Sequence, residues 1–581
     1  MQMSDTNRKA GGSRRDLLIG AGAGLAGIAV AACSKPDEAV NIPGGPSPDK
    51  IAASEDLFGV TYTDSERAQM AAELDRRLEM LAQLRSVDKP NSLAPATVFD
   101  PRLPGVDYQI PAETRVRVSP FQLGAKPGEI DVAFASIRQL GTWLRAGTIT
   151  SRAITDIYLR RIESYAPKLE CFVTVMAERA RAEADAIDAE IAAGTVRGPL
   201  HGIPYAVKDL FDAEGAPTTW GASPYKDQQP NGDSAIVRRL KAAGAVLLGK
   251  TTCGALAYGD IWFGGVTRNP FDPREGSSGS SAGSASATAA GLCAFAIGTE
   301  TLGSLVSPAM RCGTTAIRPT FGRVSRAGGM ALCWSLDKTG PMGRSVEDCA
   351  LVLEAINGYD PADAGSIDAG FAYDHALPLA DIRLGVDPAW MDVATATERA
   401  AIEAARGLGA QLVDFRRPDL ESGPLSLQLF AEAAAAFEDL TLSNRDDELK
   451  WQDDVAWPNT FRAARFISAI DLIQVDRLRR KWMQAMHTAF EGVDVVIGPS
   501  FTSGMLTPTN FTGHPCLVMR CGFDETRPRT LFDADANPEA PTARTPVAIS
   551  LWSPLFREGP MLTLGRALEA RLDVAKVQPA L

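Results

Sequence analysis

The chain has few of the residues that build metal sites and histidine-based catalytic centres. Its 581 residues include only four histidines. Its nine cysteines form no CxxC pair and show no metal-ligand spacing. Because a chain of this length does not need disulfides for stability, we expect buried thiols. The sequence does not determine whether any of them pair.

A basic excess is also absent. Lysine and arginine total 59 against 71 aspartate and glutamate, which gives a formal net charge of -12. The one dense basic cluster in the body of the chain, 477–481, is short and typical of a solvated helix face. We therefore predict no nucleic-acid partner. With 45% hydrophobic and 22% charged residues, the composition is that of a globular protein with a sizeable core.

The first 33 residues resemble an export signal. Arg14 and Arg15 precede an apolar run, Leu17–Ala32, that is too short to span a bilayer comfortably and is typical of a signal-peptide h-region. Residues 13–18 resemble a twin-arginine signal, although the arginine pair alone is also typical of an ordinary n-region. Residues 30–33 resemble a bacterial lipobox, whose cysteine is lipidated. We expect an exported, periplasmic or cell-envelope lipoprotein that meets the membrane only through Cys33.

Composition and periodicity divide the rest of the chain into three parts. Residues 34–56 are polar and rich in proline and glycine, which predicts a flexible tether. Residues 57–129 combine helical spacing over 63–84 with a Pro-rich connection, which predicts an accessory arm. Residues 130–575 alternate helical patterns with short apolar runs. This alternation predicts one large α/β domain.

Three segments carry chemical motifs, and the first is a phosphate-loop pattern. Gly244–Thr251 satisfies GxxxxGKT, which needs a strand before the first glycine and a loop between the glycines. Here a helical run, Ser234–Ala243, comes first, and the apolar Ala245–Leu248 lies between the glycines. This order predicts a helix, a turn and a strand with an exposed Lys250 instead of a nucleotide site.

The second motif, Gly279–Gly283, matches GxSxG and would make Ser281 the nucleophile of an α/β-hydrolase-like esterase. That turn needs a buried strand directly before it, whereas Asn269–Glu275 is polar and carries two prolines. A triad would also need a histidine, and His487 and His514 follow the serine with much of the chain between. The esterase interpretation stays an alternative.

The third segment runs from Gly276 to Gly313. A Gly/Ser run leads into a small-residue helix at 285–290, the apolar strand Leu292–Ile297 and the turn Gly298–Ser304. A flexible linker would not be followed at once by so apolar a strand. Small side chains at this density predict backbones brought very close together.

This stretch resembles the amidase signature, whose consensus reads GGSSGGSA and, about twenty residues later, GTDTGGSIRxPA. Ser278–Ala285 matches the first part and Gly298–Ala309 the second. Gly198–Asp209 is similar to the lysine segment of the same family, and the resemblance covers roughly residues 131–570. Several ordered matches are far more specific than any single pattern. Further similar segments are Ala243–Thr251, Ile317–Ser325, Ser335–Met342 and Thr512–Pro515.

The resemblance implies a fold and a reaction. The family fold is α/β, with a central mixed twisted sheet flanked by helices on both faces. The implied activity is that of an exported amidase, which hydrolyses the C–N bond of a small-molecule or peptide amide through a serine acyl-enzyme intermediate. The resemblance implies no metal and no organic cofactor, and it leaves the oligomeric state open.

Carried over residue by residue, the resemblance makes Lys208 the base, Ser280 the cis-peptide serine that relays the proton, and Ser304 the nucleophile. A lysine can activate a serine only when it is neutral, so its pKa must fall from about 10.4 towards 7. Burial produces such a shift, and Lys208 has apolar neighbours in the sequence. Local sequence alone fits a surface Lys208 paired with Asp209 equally well.

The family's oxyanion hole is formed by backbone N–H groups just before the nucleophile. The corresponding residues of this chain are Thr301, Leu302, Gly303 and Ser304. We expect supporting roles for Ser281, Glu300 and Asp209. Two positions depart from the consensus. Leu302 replaces a glycine and is expected either to narrow the approach to the scissile carbonyl or to conflict with the usual backbone dihedrals. Val306 replaces an arginine and removes an anchoring charge.

Two other functions stay open. The tRNA-dependent transamidation branch of the family works in the cytoplasm with partner subunits, which the export signal contradicts. A non-catalytic lipoprotein that keeps the amidase fold for binding would be favoured only if the triad were incomplete, and all three triad residues are present. We expect Met330–Trp334 and Ala372–Trp457 to shape the substrate pocket.

Overall fold

The structure, a computed structural model, contains two compact units. The first ends at Asp88, and the second runs from Lys89 to Leu581. The predicted export signal, with the lipobox and Cys33, lies outside the described residues. Among the described residues, no helix is long and apolar enough to cross a membrane. The described residues are 45–123, 127–530 and 539–581.

The first unit contains two helices, α1 (Pro48–Phe58) and α2 (Asp64–Ser86). Helix α1 occupies the end of the segment predicted as a flexible tether. It begins there because the Ser47 side chain accepts a hydrogen bond from the Lys50 backbone N–H and Pro48 takes the first helical position. Helix α2 lies where helical spacing predicted it and begins with a capping box.

The strands of the second unit form one large sheet and three two-stranded sheets in the described residues. In chain order the strands are β1 (Arg115–Arg117), β2 (Phe172–Val175), β3 (Pro204–Lys208), β4 (Val246–Thr251), β5 (Ile261–Trp262), β6 (Gly265–Val266), β7 (Arg268–Asn269), β8 (Asp272–Gly276), β9 (Phe295–Glu300), β10 (Thr315–Arg318), β11 (Lys338–Gly343), β12 (Ala372–Asp374), β13 (Arg383–Val386), β14 (Gln411–Asp414), β15 (Val495–Pro499), β16 (Cys516–Thr526) and β17 (Ala543–Trp552).

The large sheet has eleven strands in the order β14-β13-β15-β17-β16-β10-β11-β9-β3-β4-β2. It is mixed, because β3 pairs in parallel with both β4 and β9, whereas β9 pairs antiparallel with β11. The smaller sheets pair β1 with β12, β5 with β6 and β7 with β8. The outer strands of the large sheet are β14 and β2, so β3 and β9 run through its interior.

The second unit also contains sixteen α-helices within the described ranges. They are α3 (Glu129–Phe134), α4 (Ile137–Arg145), α5 (Ser151–Leu169), α6 (Ala177–Ala192), α7 (Ala235–Ala242), α8 (Ala282–Ala289), α9 (Val306–Cys312), α10 (Val346–Ile356), α11 (Trp390–Val393), α12 (Ala396–Arg406), α13 (Ser426–Ala436), α14 (Glu438–Leu442), α15 (Trp457–Ala464), α16 (Ala469–Ala489), α17 (Leu506–Phe511) and α18 (Glu558–Leu572).

The large sheet carries an apolar core on each face. In β16, Leu517 and Met519 belong to one buried apolar cluster, while Cys516 and Val518 belong to another. Alternate residues of a strand point to opposite faces, so the two clusters lie on the two sides of the sheet. Helices α5, α10 and α18 contribute to the first cluster, and α13, α15 and α16 to the second. The predicted α/β fold with a mixed, helix-flanked sheet is confirmed.

The segment predicted as an N-terminal arm is divided between the two units. Its helix α2 lies in the first unit, whereas its Pro-rich part, from Lys89, belongs to the second. The Pro-rich part packs there because β1 adds to β12 and because the backbone N–H and hydroxyl of Ser119 both donate to the Glu347 carboxylate at 2.7 Å. The predicted domain limits remain predictions.

Two predictions about buried side chains have different outcomes. All eight cysteines of the described residues are buried and unpaired, which confirms the expectation of buried thiols. The helix α7, a turn and β4 form the predicted helix, turn and strand around the phosphate-loop pattern, but the expectation of an exposed Lys250 is wrong. Lys250 is fully buried because β4 is an interior strand, and its ammonium lies 2.7 Å from the Asp209 carboxylate.

Candidate active site

The side chain of Lys208 is the centre of a buried hydrogen-bond network. Lys208 is the last residue of β3 and has no exposed surface. Its Nζ donates to Ser280 Oγ at 2.8 Å, to Thr299 Oγ1 at 2.8 Å and to Ser281 Oγ at 3.2 Å. All three acceptors are neutral hydroxyls. Burial lowers the pKa of Lys208 to about 8.

The alternative of a surface Lys208 paired with Asp209 is wrong. Lys208 is buried, and its hydrogen bonds go to the hydroxyls of Ser280, Ser281 and Thr299. The carboxylate of Asp209 is instead paired with Lys250 of the neighbouring strand β4, and it accepts the Thr219 backbone N–H at 3.1 Å. Asp209 therefore supports the site indirectly, because it leaves Lys208 without a carboxylate partner.

The two serines of the Gly/Ser run have different roles in the structure. Ser280 follows a cis peptide bond with Gly279, and its hydroxyl accepts from Lys208. The Ser281 hydroxyl is instead held by the Thr299 backbone of β9, since it accepts from the N–H at 3.1 Å and donates to the carbonyl at 3.0 Å. The Ser281 backbone N–H donates to the Ser304 carbonyl at 3.2 Å, which brings the Ser304 backbone against the Gly/Ser run.

The geometry does not support Ser281 as the nucleophile of an α/β-hydrolase. The strand before it, β8, pairs with β7 in a two-stranded sheet and is not part of the large sheet. The Ser281 hydroxyl has no histidine among its hydrogen-bond partners in the described residues. His514 is hydrogen-bonded to Thr512 at 2.7 Å, and its ring stacks on Phe490.

The prediction that small residues bring backbones close together is confirmed at Gly279. A Cβ atom at this position would lie 1.8 Å from the Gly259 carbonyl oxygen, so no larger residue fits. The carboxylate of Asp260, which follows Gly259 in the chain, accepts a 2.8 Å hydrogen bond from the Ser278 backbone N–H. These contacts fix the backbone that carries Ser280.

Ser304 lies in a turn between β9 and α9 and is the most accessible of the three predicted catalytic residues. Its relative exposure is 7%, against 1% for Ser280 and 0% for Lys208. Within the described part of the chain, no protein group is hydrogen-bonded to its hydroxyl, and none accepts the backbone N–H of Leu302, Gly303 or Ser304. Consecutive N–H groups without acceptors in such a turn form an anion-binding concavity.

The carboxylate of Glu300 organises this turn. Glu300 Oε2 accepts the backbone N–H groups of Leu305 at 2.8 Å and Val306 at 3.0 Å, and Oε1 accepts from Arg318 of β10 at 2.5 Å. Burial by itself raises the pKa of Glu300, but the charge and hydrogen bond of Arg318 outweigh it and lower the pKa to about 2. Arg318 therefore supplies an anchoring charge although Val306 has replaced the consensus arginine.

The expected conflict of Leu302 with the backbone dihedrals is wrong. Leu302 is not among the non-glycine residues with positive φ, and Gly303, with φ of 83°, carries the left-handed conformation of the turn. The Leu302 side chain is partly buried against the apolar cluster on the second face of the sheet. The neighbouring Thr301 hydroxyl donates to Asp337 Oδ1 at 2.6 Å.

Asp337 joins this turn to the segment that was expected to shape the pocket. Its Oδ2 accepts the backbone N–H groups of Leu332 at 2.8 Å and Cys333 at 3.0 Å, while Oδ1 binds Thr301. In the second expected pocket region, the Trp457 indole N–H donates to the Leu256 carbonyl at 2.9 Å. Leu256 has a strained positive φ of 51°, so this contact holds an unusual backbone close to Gly259.

Sequence reasoning missed four polar residues of the site. Thr299 lies inside the matched motif and carries a hydroxyl, which was an available signal. Arg318, Asp337 and Lys338 lie in segments similar to the family, but nothing in their local sequence shows that they face the turn at 300–304. Among the described residues, no group of three or more His, Cys, Asp or Glu side chains could hold a metal ion.

Comparisons with known proteins agree on one family. The amidase family profile matches residues 153–562. A glutamyl-tRNA(Gln) amidotransferase subunit of Synechococcus sp. (strain RCC307) is 31% identical over 494 residues, which cover 76% of this chain and 98% of that protein. An amidase of Pseudomonas putida is 35% identical over 427 residues, which cover 67% of this chain and 90% of that protein.

A solved structure shows the same fold. Native peptide amidase from Stenotrophomonas maltophilia superimposes with a TM-score of 0.65 at 28% sequence identity. The similarity covers 77% of this chain and 98% of the peptide amidase.

The lowered pKa of Lys208 predicts a pH-dependent contribution to stability. Below pH 8 the folded protein bears the full cost of a buried ammonium. Between pH 8 and 10.5, Lys208 is neutral when folded but still charged when unfolded, so folding is favoured progressively as the pH rises. Urea unfolding should show wild type gaining up to about 3 kcal/mol relative to Lys208→Met across this window, since each pKa unit is worth about 1.4 kcal/mol.

The matched control is Lys241→Met, which removes an exposed lysine. Its unfolding free energy should follow wild type at every pH. A pH-independent difference between wild type and Lys208→Met would contradict the lowered pKa.

Proposed function

Because this chain belongs to the amidase family, we propose that it hydrolyses the C–N bond of a carboxylic or peptide amide through an acyl-enzyme intermediate on Ser304. The observation that carries the proposal is the 2.8 Å hydrogen bond from the buried Lys208 Nζ to Ser280 Oγ. A lysine surrounded by neutral hydroxyls is neutral in an accessible pH range and can accept a proton.

Acylation begins when the Ser304 oxygen attacks the amide carbonyl carbon. The Ser304 proton passes to Ser280, while the Ser280 proton passes to neutral Lys208. As the C–N bond breaks, the same path returns the proton from Lys208 through Ser280 to the leaving nitrogen. In deacylation, water attacks the acyl carbon and gives a proton through Ser280 to Lys208. As the bond between the acyl carbon and Ser304 Oγ breaks, that proton returns through Ser280 to Ser304 Oγ, and the carboxylic acid is released.

The backbone N–H groups of the turn before Ser304 stabilise the negative charge on the carbonyl oxygen. Those of Leu302, Gly303 and Ser304 have no protein acceptor in the described residues, so they are available to the substrate. The resemblance to the family also predicts that the N–H of Thr301 belongs to this group. Losing one such donor typically costs on the order of 100-fold or more in rate.

Amide hydrolysis fits this chain better than amido transfer to glutamyl-tRNA(Gln), the activity named for the amidotransferase relatives. A formal net charge of -12 disfavours a polyanionic partner. The N-terminal export pattern favours a location away from cytoplasmic tRNA. The peptide amidase and the Pseudomonas amidase motivate a small-molecule or peptide amide as substrate.

A substrate panel tests this function. Purified mature protein is incubated with aliphatic amides, aryl amides, peptide amides and esters, and the products are identified by mass spectrometry. We expect turnover of at least one amide class, and we expect Ser304→Ala to reduce it by at least about 1,000-fold, because removing a nucleophile leaves only binding and the oxyanion donors. Ser443→Ala, at an exposed position, is the matched control.

Turnover that survives in Ser304→Ala would contradict the assignment of the nucleophile and direct attention to Ser281. Hydrolysis of esters alone would contradict the amidase assignment. Silence of both proteins across the panel would favour the non-catalytic alternative.

We also propose that residues 1–33 direct export and that Cys33 carries the lipid anchor of a periplasmic or cell-envelope protein. The support is the order of the arginine pair, the apolar run and the lipobox in the sequence. Cys33→Ser should abolish incorporation of a labelled fatty acid and move the protein from the membrane fraction to the soluble fraction. Ser34→Ala is the neighbouring control, and retained label in Cys33→Ser would contradict lipidation at this cysteine.

A further inference from the structure

Lys338 is a buried titratable residue that the proposed mechanism does not use. It is the first residue of β11, and its relative exposure is 2%. In the antiparallel pairing of β11 with β9, Lys338 stands opposite Glu300, the last residue of β9. The register therefore places Lys338 beside the turn that leads to Ser304.

The ammonium of Lys338 contacts two backbone carbonyl groups. Its Nζ donates to the Leu336 carbonyl and, at 3.5 Å, to the Thr301 carbonyl. The second distance is at the outer limit of a hydrogen bond, but a cation and a carbonyl dipole still attract strongly at this distance in a buried site. In the described residues, Lys338 is thus the cationic side chain that is hydrogen-bonded to the peptide joining Thr301 to Leu302.

The contact with Thr301 acts on the neighbouring N–H group. The peptide that joins Thr301 to Leu302 is planar, and its carbonyl and N–H point in opposite directions. A donor that holds the Thr301 carbonyl therefore fixes the direction of the Leu302 N–H. That N–H has no protein acceptor in the described part of the chain and belongs to the proposed oxyanion hole.

Charged groups from several elements surround Lys338. Glu300 of β9 and the adjacent Asp337 favour its charged form, whereas Arg318 of β10 and Arg479 of α16 oppose it. Burial is the largest influence and lowers the pKa of Lys338 below its ordinary value.

Lys338 borders a small internal space together with Thr299, a hydrogen-bond partner of Lys208. A cavity of about 20 Å³ is lined by Lys338, Thr301 and Thr299, and Thr299 accepts a hydrogen bond from Lys208. A space of this size can hold one water molecule.

We propose that Lys338 is a positioning residue for the oxyanion hole: its ammonium holds and polarises the peptide between Thr301 and Leu302, so that the Leu302 N–H binds the developing oxyanion. This inference rests on the proposed function. Lys338 then stabilises the transition state and does not contribute to substrate binding in the ground state.

The test compares Lys338→Met with Lys338→Gln. Methionine fills a similar volume without a donor, whereas glutamine keeps a neutral N–H donor for the Thr301 carbonyl. We expect Lys338→Met to lower kcat by about 10- to 100-fold with KM within about 2-fold of wild type, since the interaction acts only on the transition state. Lys338→Gln should recover most of the lost kcat. Lys241→Met is the exposed control.

A second readout separates positioning from a loss of folding. Affinity for a peptide aldehyde, which forms a tetrahedral adduct with the nucleophile, is compared with affinity for the corresponding product carboxylate in folded protein. We expect Lys338→Met to weaken aldehyde binding by about the same factor as kcat and to leave carboxylate binding unchanged. Equal weakening of both ligands, or a wild-type kcat in Lys338→Met, would overturn the proposal.

Ser304→Ala is measured in the same series. Turnover that survives in Ser304→Ala contradicts the proposed function itself. Turnover that depends on Ser304 but not on Lys338 contradicts only the role of Lys338.

Discussion

The proposed mechanism depends on keeping one buried lysine neutral. Lys208 loses its hydration inside the sheet, and an adjacent carboxylate would restore the stability of its charged form. The structure prevents this by pairing Asp209 with Lys250, so that Lys208 meets only hydroxyl groups. The buried ion pair is therefore a condition for the base. The same pairing explains why the lysine of the phosphate-loop pattern is buried, because its ammonium is bound to Asp209.

A second constraint keeps the turn before Ser304 ready for a negative charge. Glu300 accepts the N–H groups that follow Ser304, and Arg318 balances its carboxylate. The N–H groups of Leu302, Gly303 and Ser304 have no protein acceptor in the described residues, and in the proposed mechanism they bind the substrate oxygen. Opposite charges thus hold the turn, and the carboxylate of Glu300 is bound to groups other than the N–H groups of the proposed oxyanion hole. In its proposed role, Lys338 polarises the peptide between Thr301 and Leu302 in this turn.

The sequence predicted the parts of the site that lie in one ordered motif. The Gly/Ser run and an apolar strand at 292–297 follow from local pattern, although β9 lies at Phe295–Glu300, and an α/β domain follows from alternation. The mixed sheet and the role of Lys208 were predicted only through the resemblance to the family. The pairing of Asp209 with Lys250, and of Glu300 with Arg318, joins different strands, so periodicity cannot detect it. Helix α1 was not predicted from the sequence. Its capping residues, Ser47 and Pro48, lie in a polar segment rich in proline and glycine, and that composition predicts a flexible tether.

The most direct test of the central claim is the pH dependence of kcat/KM for the best amide substrate between pH 6 and 10. With the pKa of Lys208 lowered to about 8, the neutral base increases with pH, so kcat/KM should rise about tenfold per unit below pH 8 and level off above it. A value that stays constant from pH 6 to 8, or that falls across this range, would contradict a neutral Lys208 as the base.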